Sequence, residues 1–155
     1  MYSIREATVN DIPALSQLFC ETVLTVNRYN YTREEVHDWA SCGLDPKRWE
    51  ELITSLYFVV ATGADGDIVG FASIRKDGYL HSMFVHKDFQ HRGIATQLYK
   101  EMESFAVRHK IKVIRSEVSI TARPFFENIG FVVEEIQSRK ANKLYLLNYK
   151  MKKKV

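Results

Sequence analysis

Gln90-His91-Arg92-Gly93-Ile94-Ala95-Thr96 decides the fold, because two periodicities meet there. Upstream, Tyr79-Leu80-His81-Ser82-Met83-Phe84-Val85 is aromatic, β-branched or apolar enough to predict a buried strand. Simple alternation sets Tyr79, His81, Met83 and Val85 on one face and Leu80, Ser82 and Phe84 on the other. Downstream, Ile94, Ala95, Leu98, Met102, Phe105 and Ala106 recur at helical spacing. His86-Lys87-Asp88-Phe89 joins the two. Such a junction suits a phosphate, because the first turn of a helix has unpaired N–H groups and the positive end of the dipole. Gly93 removes the Cβ that would hold a ligand away, Ala95 is nearly as small, and Arg92 and His91 add donors. A plain strand-to-helix turn also accounts for a lone glycine.

The longer string discriminates. Val85-His86-Lys87-Asp88-Phe89-Gln90-His91-Arg92-Gly93-Ile94-Ala95 resembles the acyl-CoA-binding signature of the GCN5-related N-acetyltransferase superfamily, Gln/Arg-x-x-Gly-x-Gly/Ala between the fourth strand and third helix. Ala122-Arg123-Pro124-Phe125-Phe126-Glu127-Asn128-Ile129-Gly130-Phe131 resembles the family's Ala-x-x-Phe-Tyr-x-x-x-Gly-Phe. The interval between them also fits, and the resemblance covers nearly the whole chain.

The resemblance implies an α/β fold with a mixed, mostly antiparallel central sheet. Strands four and five splay apart, and helices cover both faces. It implies acetyl-CoA as cofactor, its pantetheine arm bonded to backbone around Met83, Phe84 and Val85. The pyrophosphate would sit on Gln90, His91, Arg92, Gly93, Ile94, Ala95 and Thr96, with Arg92 the expected side-chain contact. Ser119 stands where many members have an Asn against the cofactor arm. Phe126 replaces the usual thiol-protonating tyrosine, and a phenyl ring cannot donate a proton. The implied activity is transfer of acetyl to a primary amine of a small molecule or protein, by direct attack in a ternary complex.

That chemistry needs a base for the amine and a donor where charge develops on the carbonyl oxygen. His81, on the central strand with an imidazole titrating near neutrality, is the first candidate base. A hydrogen-bonded structural histidine is the competing role. Glu117 is the second candidate; His37 and His86 rank below, and His91 reads as a ligand contact. For the missing acid, Tyr145, Tyr149 or water are the alternatives, or the thiolate leaves unaided, since thiol pKa values are only about 8.5. A catalytically idle acyl-CoA-binding or sensory domain is the rival reading, supported by Phe126.

The 155 residues are expected to form a single domain over 1–155, with 46% hydrophobic and 26% charged residues typical of soluble globular chains. The net charge of +3 suits an anionic ligand but is no footprint for nucleic acid, which needs a focused basic stripe. Cys20 and Cys42 make neither a disulfide framework nor a metal cluster, and no histidine pair has metal-site spacing. No signal-peptide pattern opens the chain and no apolar run is long enough to cross a bilayer, so a cytoplasmic protein without membrane contact is expected.

Along the chain, Tyr2 to Ala7 reads as a strand, and Ile12, Leu15, Leu18, Phe19 and Val23 as the apolar face of a helix. Thr32 and Glu35 form a capping-box pair, Gly43 ends that helix, and Asp45-Pro46 starts another. In the resembled family this region supplies part of the acceptor pocket; Tyr29, Tyr31, Trp39 and Trp49 are aromatic enough to line one or to pack as core. Glu34, Glu35, Asp38 and Asp45 either attract a cationic amine or serve as caps and solvated charges. Strands follow at 56–62, 68–75 and 113–118, and a short helix at 121–128. The strands at 131–136 and 144–151 pair, with 137–143 predicted mobile. The apolar Leu144-Tyr145-Leu146-Leu147 fits an internal strand or a homodimer edge.

Overall fold

The computed structural model describes residues 2–155. Its elements run β1 (Ser3–Glu6), α1 (Ile12–Thr25), α2 (Arg33–Ser41), α3 (Pro46–Ser55), β2 (Tyr57–Thr62), β3 (Ile68–Ile74), β4 (Tyr79–Val85), α4 (Ile94–Arg108), β5 (Val113–Ser119), α5 (Arg123–Asn128), β6 (Val132–Lys140) and β7 (Tyr145–Lys154). Short 3-10 turns lie at Val9–Asp11, Asn27–Tyr29 and Lys87–Phe89. The strands form one sheet in the order β1-β2-β3-β4-β5-β7-β6. β4 and β5 pair parallel, and the other neighbours pair antiparallel.

Local chemistry places the ends of these elements. The Thr32 hydroxyl accepts from the Glu35 N–H at 3.2 Å, and the Glu35 carboxylate accepts from the Thr32 N–H at 2.9 Å, so α2 begins in a full capping box. Asp45 accepts from the Lys47 N–H at 3.0 Å with Pro46 opening α3. The β3–β4 turn needs Gly78, whose φ is +97° and whose absent Cβ would stand 2.6 Å from the Val113 carbonyl oxygen.

Each face of the sheet carries its own core. Under α4 and α5, Ile94, Leu98, Met102 and Phe126 pack on Ile74, Leu80 and Ile114. Under α1, α2 and α3, Leu15, Val23, Val36 and Trp49 pack on Phe58, Val60 and Phe71. Each such apolar side chain contributes roughly 1.5–3 kcal/mol by leaving water, which fixes the sheet from both sides.

Two sequence expectations need correction. Leu80 does not share a face with Ser82 and Phe84. It packs with Met83 and Val85 against the α4 core, whereas Phe84 joins the α1 core. The cause is a β-bulge: Ser82 pairs with Ser73 and Leu80 with Ile74, so His81 is one extra residue on β4 and the alternation slips there. The other correction concerns residues 137–143. β6 continues to Lys140, and the Asp38 carboxylate accepts from the Asn142, Lys143 and Leu144 N–H groups at 2.9–3.0 Å. The Asn142 side-chain amide donates to the Ser41 hydroxyl at 2.9 Å. The hairpin is therefore fastened to α2. β7 lies between β5 and β6, but only Asn148–Lys154 pairs with β5; Tyr145, Leu146 and Leu147 pair with β6 alone, and Leu144, Tyr145 and Leu147 stay exposed.

Candidate active site

β4 and β5 hold their parallel register only at Tyr79–Arg115 and Leu80–Ser116. At the last pair the Ser116 hydroxyl donates to the Leu80 carbonyl at 2.8 Å. Beyond it the strands diverge, as the resemblance implies, and a cleft of about 1600 Å³ opens between them. Antiparallel pairing turns the backbone of Phe84 toward β3, where the next alternate N–H, that of His86, donates to Val69. The backbone groups of Met83 and Val85 therefore face the gap. The Val85 carbonyl already accepts from the Gln90 side-chain amide at 2.7 Å and the Thr22 hydroxyl at 3.2 Å. Gln90 thus clamps the loop to the end of β4, and Met83 faces the gap without that tie.

The loop after β4 is built to present the start of α4. The His86 ring nitrogen accepts from the Asp88 N–H at 3.0 Å. His91 and Gly93 take left-handed φ values of 60° and 80°. Gly93 is the N-cap of α4 and supplies no side-chain acceptor, and a Cβ placed on it would meet nothing within 4 Å. The first-turn amides of Ile94, Ala95 and Thr96 thus open onto the cleft at the positive end of a fifteen-residue helix. His91 also lines it. Arg92 does not: its guanidinium lies 5.0 Å over the Phe89 ring, exposed and outside the lining.

On the opposite wall, Ser119 and Phe126 both reach the cleft. The Ser119 hydroxyl accepts from the Ala122 N–H at 3.1 Å, so it shapes the turn into α5. Phe126 is 5% exposed and meets Phe125 and Phe131 edge-on.

Of the three proposed catalytic side chains, the fold brings two together. His81 lines the cleft edge-on to Tyr79, ring centres 6.2 Å apart, and its Nδ1 is buried with no hydrogen-bond partner among the described residues. Burial holds the His81 pKa below its ordinary 6.5; the charges of Arg48 and Arg75 push the same way, and Glu117 opposes them. Glu117, also on the lining, accepts from the Tyr79 hydroxyl at 3.3 Å and the Gln137 amide at 2.8 Å, and pairs with Arg139 at 3.5 Å. Burial and the adjacent Glu117 push the Tyr79 phenol up to about 12. Tyr145 is 64% exposed, opposite Lys140 in the β6–β7 pair and off the cleft lining. Tyr149 is also off it, with the Arg123 guanidinium 4.5 Å over its ring.

One structural residue had no sequence signal for its role. The Tyr31 hydroxyl accepts from the Ile120 N–H at 2.9 Å and donates to the Leu147 carbonyl at 2.7 Å, joining segments 89 and 116 residues away. Burial pushes its pKa up to about 12, so it stays a neutral bridge.

A sheet forced open between parallel central strands, with an uncapped helix N-terminus at its mouth, is the architecture of an N-acetyltransferase. A family model described as "Acetyltransferase (GNAT) domain" matches residues 27–153, and the chain belongs to this family. The chain is 28% identical over 151 residues to the uncharacterized N-acetyltransferase YafP of Escherichia coli K12, covering 97% of this chain and 95% of that one. Among solved structures, a GCN5-related N-acetyltransferase from Rhodopseudomonas palustris superposes with a TM-score of 0.95 at 24% identity, covering 99% of this chain and 95% of that one. The PaiA N-acetyltransferase of Thermoplasma acidophilum, solved in complex with coenzyme A, gives 0.83 at 19% identity over 100% and 99%. Among the described residues no helix is long and apolar enough to cross a membrane.

Proposed function

We propose that this acetyltransferase takes acetyl-CoA as donor in the β4–β5 gap and passes the acetyl group to a primary amine, with His81 as base. The observation that carries the reading is the His81 imidazole on the lining of the cleft that opens where β4 and β5 part, beside the gap that would admit a thioester. The donor's pyrophosphate fits the open amides of Ile94, Ala95 and Thr96, and its pantetheine arm fits the backbone of Met83. Solved relatives hold coenzyme A or acetyl-CoA in their own structures, which supports the same ligand here.

Transfer forms one C–N bond, breaks one C–S bond and releases one proton from the amine. The imidazole of His81, neutral at physiological pH because burial disfavours its charge, accepts that proton. Glu117 is a positioning residue: bound by Tyr79, Gln137 and Arg139, it fixes the polar wall beside His81. Tyr145 and Tyr149 lie off the cleft and a phenyl ring stands at Phe126, so none of these three positions supplies the acid for the departing thiolate.

Calorimetric titration with acetyl-CoA, followed by CoA release with primary amines, tests the reading. Binding with turnover is the expected result. Binding without turnover of any amine would establish the idle-domain alternative, and absence of binding would remove the site.

A further inference from the structure

The acceptor end of the cleft is cationic and roofed. Arg48, Arg139 and Lys140 line it, and Glu117 is the carboxylate set among them. Arg139 is committed to Glu117 at 3.5 Å, whereas Arg48 and Lys140 make no ion pair among the described residues. The acidic residues suited to drawing in a polycation are used elsewhere. Glu35 and Asp45 cap helices, Asp38 holds the hairpin amides, and neither these nor Glu34 line the cleft. Three fastenings roof this end: Tyr31 to Ile120 and Leu147, Thr121 to Asn30 at 2.8 Å, and Asp38 to the β6–β7 turn. An extended polypeptide needs an open groove to lie across, and here the hairpin is tied down to α2.

Resting on the acetyltransferase reading above, we infer that the acceptor is a small primary amine carrying its own carboxylate or phosphate. Arg48 and Lys140 take the anionic group while the amine points to His81. Exposed on the cleft lining and without an ion-pair partner among the described residues, Arg48 and Lys140 are open to an opposite charge, which the acceptor supplies. The same cations disfavour a second positive charge beside them and so favour the neutral, nucleophilic amine. A polyamine meets the reverse: repulsion and no carboxylate to bind it.

Matched acceptors test this: L-amino acids against their amides, phosphoethanolamine against ethanolamine, and spermidine as a polycation, each assayed by CoA release. The anionic member of each pair is expected to show kcat/KM about tenfold higher or more, the scale of one charge-assisted contact. Arg48→Gln should collapse that ratio through KM, with the acetyl-CoA Kd unchanged. Spermidine or the neutral members matching the anionic ones, or a ratio unaltered in both Arg48→Gln and Lys140→Gln, overturns the inference. A separate titration without donor compares N-acetyl amino acids with N-acetyl amino-acid amides. Preference for the acids supports the acceptor class, and equal or absent binding overturns it. Acetyl-CoA affinity, read on the same samples, reports on the donor site alone, so failure of the two readings is distinguishable.

Discussion

His81 owes its chemistry to one inserted residue. The bulge turns the imbrication of β4 by one position, and the ring lands on the cleft wall against Tyr79, with Arg48 of α3, Arg75 after β3 and Glu117 of β5 acting on it. Its pKa is held below 6.5, so the neutral imidazole that the proposed base requires is present at neutral pH and is lost only as pH falls through that depressed value. The acid limb of the kcat profile is therefore expected below pH 6.5. His81→Gln should abolish that limb and lower kcat by roughly 10²–10⁴-fold, the usual worth of a general base, while acetyl-CoA affinity holds. A profile unchanged by the substitution would remove His81 as base. The same shift has a sign for stability: the unfolded chain takes up its proton first as pH falls below 6.5, so this contribution to folding declines on the acid side.

At the scale of elements, two junctions carry the function. We propose the start of α4 as the anion site because Gly93 caps it with no side chain in the way. Gly93→Glu sets bulk and negative charge against that site and strains a φ of +80°. Calorimetry is expected to show acetyl-CoA affinity reduced by about 100-fold or more, two charge-assisted contacts' worth, while Gly93→Asn, which tolerates the left-handed region, retains most of it. Equal affinity in the Glu variant would place the phosphates elsewhere. The second junction is Asp38 on the β6–β7 turn. Asp38→Ala should speed hydrogen exchange at the Asn142, Lys143 and Leu144 amides and raise the acceptor KM, leaving exchange in α4 as it was. Unchanged protection at those three amides would show that the turn holds itself.

For the molecule as a whole, what was legible followed from periodicity and punctuation. The strands expected at 56–62, 68–75 and 113–118, the 3.6-residue pattern from Ile94, the Thr32–Glu35 box and the Asp45-Pro46 start appear within a residue or so of where those signals place them, whereas β6 and β7 run on to Lys140 and Lys154. The β4–β5 splay and the motif at Gln90–Ala95 were legible only through resemblance, because backbone capture leaves no side-chain pattern. The bulge was not legible, since no residue type marks it, and simple alternation therefore misplaced Leu80. Nor was the fastening of 141–144, because a polar turn reads alike whether solvated or bound by a carboxylate about a hundred residues away. Arg92 shows the same limit: a cation beside a phosphate motif also rests well on a neighbouring ring such as Phe89.

Tyr31 gives the fold an order in time. Its hydroxyl spans partners 89 and 116 residues downstream, one of them on the last strand of the chain. Contacts of such separation close large loops, so they form late. During synthesis the donor half, from β4 to α4, is complete in sequence before β7 leaves the ribosome. The acceptor chamber cannot exist until the final strand is laid, and the protein gains its choice of amine as the last act of folding.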